Sequence, residues 1–366
     1  MVEPQKIEFL LGKTLDELTA IAIAAGLPRF AGKQLADWIY QKRATSFSEM
    51  TNISAKARES LAEHYSIGRT EPKAKSVSTD GTKKYLFEIE RAEKEGSMTA
   101  SRYVESVYIP DDDRATICIS TQAGCKMGCR FCMTGTLGFH GNLTATDILN
   151  QIFSIPDSKL LTNIVVMGEG EPCDNIDELL RALQIMTAPW GCAWSPRRIT
   201  VSSVGHAGGL QRLIEQTDCH IAISLHNPFS AERAEIMPAE KAFPIAQVIE
   251  LLKHYDWSHQ RRLSFEYICF SGVNDTLRHA TALRRLLAGL DCRVNLIRYH
   301  QAPDSYDSDN QRKTLSMPSS SEQQMIFLRD YLTQNGITTT IRRSRGEDIL
   351  AACGMLINQT LTTQTK

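Results

Sequence analysis

Seven short apolar runs rich in β-branched residues recur from about residue 115 onward: "ATICIS", "NIVVMG", "RITVSS", "HIAISL", "LSFEYIC", "VNLIRY" and "TTTIRR". Segments with apolar residues at helical spacing separate them, among them "ATDILNQIFSI", "IDELLRALQIM", "IAQVIELLKHY" and "RHATALRRLLAGL". Strands that are apolar at nearly every position have both faces covered. Their regular alternation with helices predicts a parallel sheet packed between helices, hence an α/β fold class. Six or so strand–helix units fit an open or partial (β/α)6 barrel better than a closed eight-fold one. Functional residues are then expected at the C-terminal ends of the strands.

The rest of the chain is organised differently. Residues 1–70 predict a small helical accessory domain: "KTLDELTAIAIAAG" opens with a Thr-x-x-Glu capping box at Thr14 and Glu17 and stops at Gly26. "AGKQLADWIYQKR" and "SAKARESLAEHYSIG" continue the helical spacing. Residues 71–110 switch to β-rich runs, "KKYLFEIE" and "RYVESVYIP", which predict strands or a hairpin around a polar segment, "RAEKEGSMTAS". The barrel is expected over 111–350, and 351–366 form a C-terminal segment.

The 366 residues, 42% of them hydrophobic and with a formal net charge of −1, have ordinary globular composition. No run of 18 apolar residues occurs and the N-terminus has no signal-peptide core, so a soluble cytoplasmic protein without a membrane partner is expected. The charge balance excludes a surface coated in basic residues but leaves room for local patches. Candidates are "PRR" (Arg197, Arg198), "QRR" (Arg261, Arg262), "IRRSR" (Arg342, Arg343, Arg345) and "PKAKSVSTDGTKK"; each arginine group taken alone reads as a solvated face.

The stretch "GCKMGCRFCMTG" places Cys125, Cys129 and Cys132 directly after the first apolar run. Thiolates this close together bind zinc or iron–sulfur clusters. A structural zinc site takes four protein ligands, commonly from paired Cys-x-x-Cys knuckles. Here there is one Cys-x-x-x-Cys-x-x-Cys triplet, with His140 as the available fourth ligand. A [4Fe–4S] cluster held by three cysteines leaves one iron open to a small molecule. On the first loop of a partial barrel, the triplet is similar to the signature of the radical S-adenosylmethionine (SAM) enzymes. There the open iron binds the amino and carboxylate groups of SAM, and an electron from the cluster makes a radical that removes hydrogen atoms.

Other features are weaker alone. "VVMGEGEP" reads as a tight strand-to-helix turn; beside a cluster, the backbone at Gly170 can approach the methionine amino group and Glu171 can meet its cation. "TVSSVG", "AISLHNP" and "VNLIRYH" end later strands with Ser202, Ser203, Ser224, Leu225, His226 and Asn295. Cys353, in "RGEDILAACGML", reads first as a small buried apolar residue or a partly exposed turn position, Cys118 as a strand residue, and Glu105 as a solvent-facing carboxylate.

The ordered set "VESVYIP", "RATICISTQAGCKMGCRFC", "GNLT", "VVMGEGEP", "SPRRITVSS", "AISLHNP", "GVND", "VNLIRY" and "RGEDILAACG" resembles the RlmN/Cfr family of radical-SAM RNA methyltransferases over nearly the whole chain. The helical "RFAGKQLADWIYQK" and "FSEMTNIS" resemble that family's small N-terminal RNA-binding module. The resemblance implies a radical-SAM partial barrel whose [4Fe–4S] cluster is held by Cys125, Cys129 and Cys132. It further implies SAM contacts from Gly170, Glu171, Ser202, Ser224, Leu225, His226 and Asn295. Cys353 would be the methyl carrier, Cys118 the thiol that forms a transient disulfide with it, and Glu105 the proton acceptor.

The implied reaction is methylation of carbon 2 or 8 of an adenosine in ribosomal or transfer RNA, in two stages. SAM methylates Cys353 by displacement. A second SAM then generates the radical that activates this methyl group for addition to the ring, and Cys118 releases the product. A flavodoxin-type reductase as electron donor and a monomeric state complete the expectation. Three features depart from the common pattern or lean towards one branch: Glu169 stands where a methionine is usual, His300 where an asparagine is common, and "CRFCMTGTLGF" leans towards the Cfr form. Two further readings stay open here: a radical-SAM enzyme acting on another RNA site, and a non-catalytic zinc-stabilised RNA-binding protein.

Overall fold

A computed structural model describes residues 7–89, 102–258, 261–301 and 317–356. Ten strands form one sheet: β1 (Ala74–Val77), β2 (Lys83–Ile89), β3 (Arg102–Pro110), β4 (Ala115–Cys118), β5 (Asn163–Val166), β6 (Ile199–Ser203), β7 (His220–Ser224), β8 (Leu263–Cys269), β9 (Cys292–Arg298) and β10 (Thr338–Ile341). They lie side by side in chain order from β10 to β1. From β4 to β10 every pairing is parallel; β1, β2, β3 and β4 pair antiparallel. The seven apolar runs are thus the seven parallel strands, linked by six strand–helix units, and β1–β3 extend one edge. The sheet is not closed, as a partial barrel requires.

The helices follow from spacing. In one (Ile176–Thr187), Leu179, Leu183 and Met186 recur at i, i+4 and i+7 and are buried against the sheet. Each fully buried side chain of this kind contributes roughly 1.5–3 kcal/mol. Along β8 every residue from Leu263 to Cys269 is buried, Ser264 and Glu266 among them, which explains a run that is apolar elsewhere.

At the N-terminus, α1 (Leu15–Ala24) starts at the Thr14–Glu17 capping box. Next comes α2 (Ala31–Ala36), which runs on as a π-helical turn over Asp37–Gln41, and then α3 (Ala55–His64). A side chain at Gly32 would lie 2.6 Å from the Thr19 Cα, so glycine sets the close approach of α2 to α1. The sequence pattern missed one feature here: Glu8–Phe9 and Tyr65–Ser66 pair as short parallel strands. Tyr40 packs edge-on to Phe153 and Trp190, and Glu17 pairs with Arg181 at 2.8 Å, seating these helices on the barrel.

Past β10, residues 346–356 cross the open side of the sheet. Asp348 accepts hydrogen bonds from the Ser78 hydroxyl and the Thr79 N–H, and Asp80 accepts one from the Gly346 N–H. At the far end the Met133 N–H donates to the Gly354 carbonyl and the Thr134 hydroxyl to the Leu356 carbonyl. This clamp carries Cys353 over the strand ends.

Candidate active site

The cysteine loop follows the Gln122–Gly124 strand, which pairs with Phe139–Asn142 apart from the ten-stranded sheet, and ends in a helical turn at Met133–Thr136. Gly124 has φ +69°, and a Cβ there would lie 1.9 Å from the Gly138 carbonyl oxygen, so only glycine permits this fold-back. Cys125, Cys129 and Cys132 are half-buried free thiols lining one cleft of about 150 Å3. Burial pushes the Cys125 thiol up to about 12, and the neighbouring Cys132, Glu171 and Asp174 push the same way. Cys129 and Cys132 are also raised, first by burial. Three such thiols ionise readily only against added positive charge, which a metal centre supplies.

Among the described residues no three Cys, His, Asp or Glu side chains converge closely enough to share one metal ion. His140 is exposed, with Nε2 against the Leu137 carbonyl at 2.9 Å, and so is not poised as a fourth ligand. Three cysteines with no fourth protein ligand beside them are short of the four a structural zinc site takes, whereas a cluster can be held by three. The donor set fits the cluster better.

Across the cleft lie Gly168, Gly170 and Glu171 after β5, Ser202 on β6, Ser224 on β7, then His226. Gly170 has φ +94°, and a Cβ would meet the Gln122 Cβ at 2.4 Å. The buried Glu171 carboxylate accepts from the Cys173 N–H (3.1 Å) and the Val204 N–H (2.9 Å), and burial raises its pKa. The Ser202 and Ser224 hydroxyl oxygens are 3.5 Å apart. Leu225 is fully buried and does not line the cleft; its N–H donates to the Glu266 carbonyl and its carbonyl accepts from Arg233. His226 adopts φ +56° and its Nδ1 accepts from the Ile268 N–H at 3.0 Å. Burial, aided by Arg233, lowers its pKa to about 3, so the ring is neutral with its proton on Nε2.

Asn295 lines not this cleft but the cavity next to it. Its amide donates to the Glu266 carboxylate at 2.7 Å and its carbonyl oxygen accepts from the Thr340 hydroxyl at 2.8 Å. Glu266 is buried and faces Arg342 at 3.5 Å. Arg342 in turn lowers the pKa of both Cys118 and Cys353, opposing the larger effect of burial. The Cys353 thiol is accessible, but what it meets is this cleft, enclosed by protein. Glu266 was missed by the pattern, its one signal a carboxylate in the otherwise mostly apolar "LSFEYIC", and Arg342 was read only as part of a solvated arginine group.

Cys118, Val107, Ala351 and Leu356 form one small apolar cluster. Val107 pairs with Cys118 across β3 and β4, and Glu105 lies two residues along β3 on the same face. Cys118 is raised to about 12 by burial and then by Cys353, which places the thiols within each other's field. Glu105 is buried, contrary to its solvent-facing expectation, because the Lys84 ammonium reaches it at 3.0 Å. Lys84, also missed, donates on to the Leu350 carbonyl at 3.4 Å.

Glu169 points inward. Its carboxylate accepts from the Glu105 N–H at 2.8 Å and the Gly124 N–H at 3.4 Å, tying β3 to the start of the cysteine loop. His300 faces the Ser344 hydroxyl at 2.8 Å and Glu347 at 3.5 Å.

Residues 9–67 match the family model of the ribosomal RNA large subunit methyltransferase N-terminal domain, and residues 119–284 that of the radical SAM superfamily. The chain is 54% identical over 347 residues to a "Probable dual-specificity RNA methyltransferase RlmN" of Bacteroides fragilis, covering 95% of each chain. It is 38% identical over 345 residues to the "Dual-specificity RNA methyltransferase RlmN" of Geobacter sulfurreducens, covering 94% of this chain and 91% of that one. The crystal structure of a radical SAM methyltransferase from Sphaerobacter thermophilus superposes with a TM-score of 0.85 at 33% identity, covering 95% of this chain and 99% of that one. Among the described residues no helix is long and apolar enough to cross a membrane.

Proposed function

Because this chain belongs to the RlmN family of radical-SAM RNA methyltransferases, we propose that it methylates carbon 2 or carbon 8 of an adenosine in ribosomal or transfer RNA by way of a methylated Cys353. One observation carries this reading: Cys353 lines the same cleft as Cys125, Cys129 and Cys132 and lies within the field of Cys118. A methyl carrier needs both neighbours, one to be loaded and one to be released.

Cys125, Cys129 and Cys132 would hold a [4Fe–4S] cluster. With SAM bound, that centre would supply methyl groups and, on reduction, hydrogen-atom abstraction. The Gly170 backbone, Glu171, Ser202, the Ser224–His226 stretch and Asn295 orient the SAM. Neutral His226 does so as a hydrogen-bond donor, and Asn295 through the Glu266 and Thr340 bonds that fix its amide. Arg342 favours the Cys353 thiolate, the form that accepts a methyl group. Once the methylene carbon is joined to the adenine ring, the adduct gives up one electron, which the cluster would take back, and Glu105 removes the ring proton, with Lys84 beside it as counter-charge. The Cys118 thiolate then attacks the Cys353 sulfur. That breaks the sulfur–carbon bond and forms a Cys118–Cys353 disulfide, which cellular thiols reopen, while the methylene carbon left on the base keeps the electron pair and takes one proton from water to become the methyl group.

Electrons come from a flavodoxin-type reductase, and the chain works as a cytoplasmic monomer whose helices before residue 70 help hold the RNA. The target base must be unstacked to reach Cys353, which favours a loop over a duplex. Mass spectrometry of nucleosides from ribosomal and transfer RNA, in cells with and without this gene, tests the reading. A 2-methyl- or 8-methyladenosine that disappears with the gene supports it and decides the carbon. Unchanged levels of both would overturn it.

A further inference from the structure

A second cavity of about 540 Å3 runs along the sheet, from the starts of β4, β5 and β6 to residues beyond the end of β10. Thr116, Asn163, Thr200 and Ser264, near the starts of β4, β5, β6 and β8, give it polar walls. Arg114, Arg262, Arg293, Arg342, Arg343 and Arg345 line it as well, against Asp111 and Glu266 as its acidic residues. Two of the arginine groups that read separately as solvated faces therefore converge on one space.

The acids do not neutralise it. Asp111 pairs with Arg114 at 3.5 Å and with Arg345 at 3.0 Å, and Glu266 faces Arg342 at 3.5 Å. Among the described residues Arg262, Arg293 and Arg343 make no ion pair. Burial, then Arg293, Arg342 and Arg114, lower the Arg262 pKa against the opposing effect of Glu266, as expected where cations outnumber anions. Concave sites lined by one sign of charge concentrate the opposite ion, and guanidinium groups match the oxygens of a phosphate.

The cavity is also continuous with the chemistry. Cys353, Met167, Glu266, Ile297 and Arg342 line both this cavity and the three-cysteine cleft. Cys353 therefore stands at the junction, with the cysteine loop on one side and the unpaired arginines on the other. We infer that the arginine-lined cavity admits the target nucleotide of the RNA. Arg262 and Arg293 hold the phosphodiesters flanking it while its base reaches Cys353. The inference rests on the RNA-methyltransferase reading and names where that substrate's backbone is gripped.

The test uses the holoenzyme with its cluster reconstituted, an RNA fragment carrying the target adenosine, and the variants Arg262→Gln, Arg293→Gln, the double variant and Arg262→Lys. Three quantities are measured: methylation of Cys353 by SAM without RNA, the salt dependence of RNA affinity, and KM and kcat for RNA methylation. Cys353 should be methylated as in the wild type, because neither arginine lines the cysteine cleft. The slope of log affinity against log salt should fall by about 0.7 for each arginine lost, with KM for RNA rising about ten-fold and kcat little changed. Arg262→Lys should keep the slope, since the charge remains. An unchanged slope and KM in the double variant, with Cys353 methylated normally, would overturn the inference while leaving the functional reading intact. A wild-type enzyme that neither binds nor methylates RNA would overturn both.

Discussion

The Lys84 ammonium stands 3.0 Å from the Glu105 carboxylate, and both side chains are buried where β2 pairs with β3. Removing one partner of such a pair strands the other charge away from water. Lys84→Met should therefore destabilise the fold by roughly 3–5 kcal/mol, and Lys84→Met with Glu105→Gln should recover much of that loss. Urea denaturation of the single and double variants measures this; two losses that simply add would show that the pair is not coupled.

Cys118 and Glu105 act, in this account, only after Cys353 has carried its methyl to the ring. Cys118→Ala should let the enzyme join to RNA and then stall, leaving an RNA–protein adduct visible on a denaturing gel. Glu105→Gln should stall likewise. Cys353→Ala should give no adduct and no product while retaining iron. Free methylated RNA from the Cys118 variant at the wild-type rate would remove Cys118 from the mechanism.

Glu169 holds the backbone N–H groups of Glu105 and Gly124, so it links the proposed base to the cysteine loop. Glu169→Met, which installs the residue usual in the resembling family, should speed hydrogen exchange at those two amides. It should cost about 1–3 kcal/mol from the buried donors left without an acceptor. Unchanged protection at both amides would show that the carboxylate does not hold them.

His220 accepts the Arg262 N–H on Nδ1, and burial together with Arg262 and Arg197 lowers its pKa to about 4. The unfolded chain takes up this proton near pH 6.5 and the folded protein only near pH 4. The resulting stability is thus complete above pH 6.5 and is lost as the pH falls towards 4. Between pH 7 and pH 5 the loss from this ring is about 2 kcal/mol. His220→Asn, which keeps an acceptor, should narrow the measured difference between those pH values by about that amount. An equal difference in both proteins would contradict the assignment.

What was legible in the sequence follows from where each signal lives. The seven parallel strands were readable because burial leaves short runs that are mostly apolar and β-branched, as in Asn163–Val166, separated by helical spacing. The cysteine loop was readable because its spacing is local. Lys84 and Glu105 were not, since a charge inside a strand pattern reads as outward-facing until its partner on the neighbouring strand is known. Glu266 and Arg342 meet only when β8, β9 and β10 assemble, and the arginine cavity exists only as a sum of positions remote in the chain. The Glu8–Phe9 and Tyr65–Ser66 strands are too short for any period to show.

The most direct test of the central claim is the mass of the peptide containing Cys353 after the reconstituted enzyme has met SAM bearing a trideuterated methyl group. The account predicts a trideuterated methyl on Cys353 in the absence of RNA, which then appears in adenosine as CHD2 when RNA is added. RNA methylated with an intact CD3 group, or an unmodified Cys353 throughout productive turnover, would contradict it.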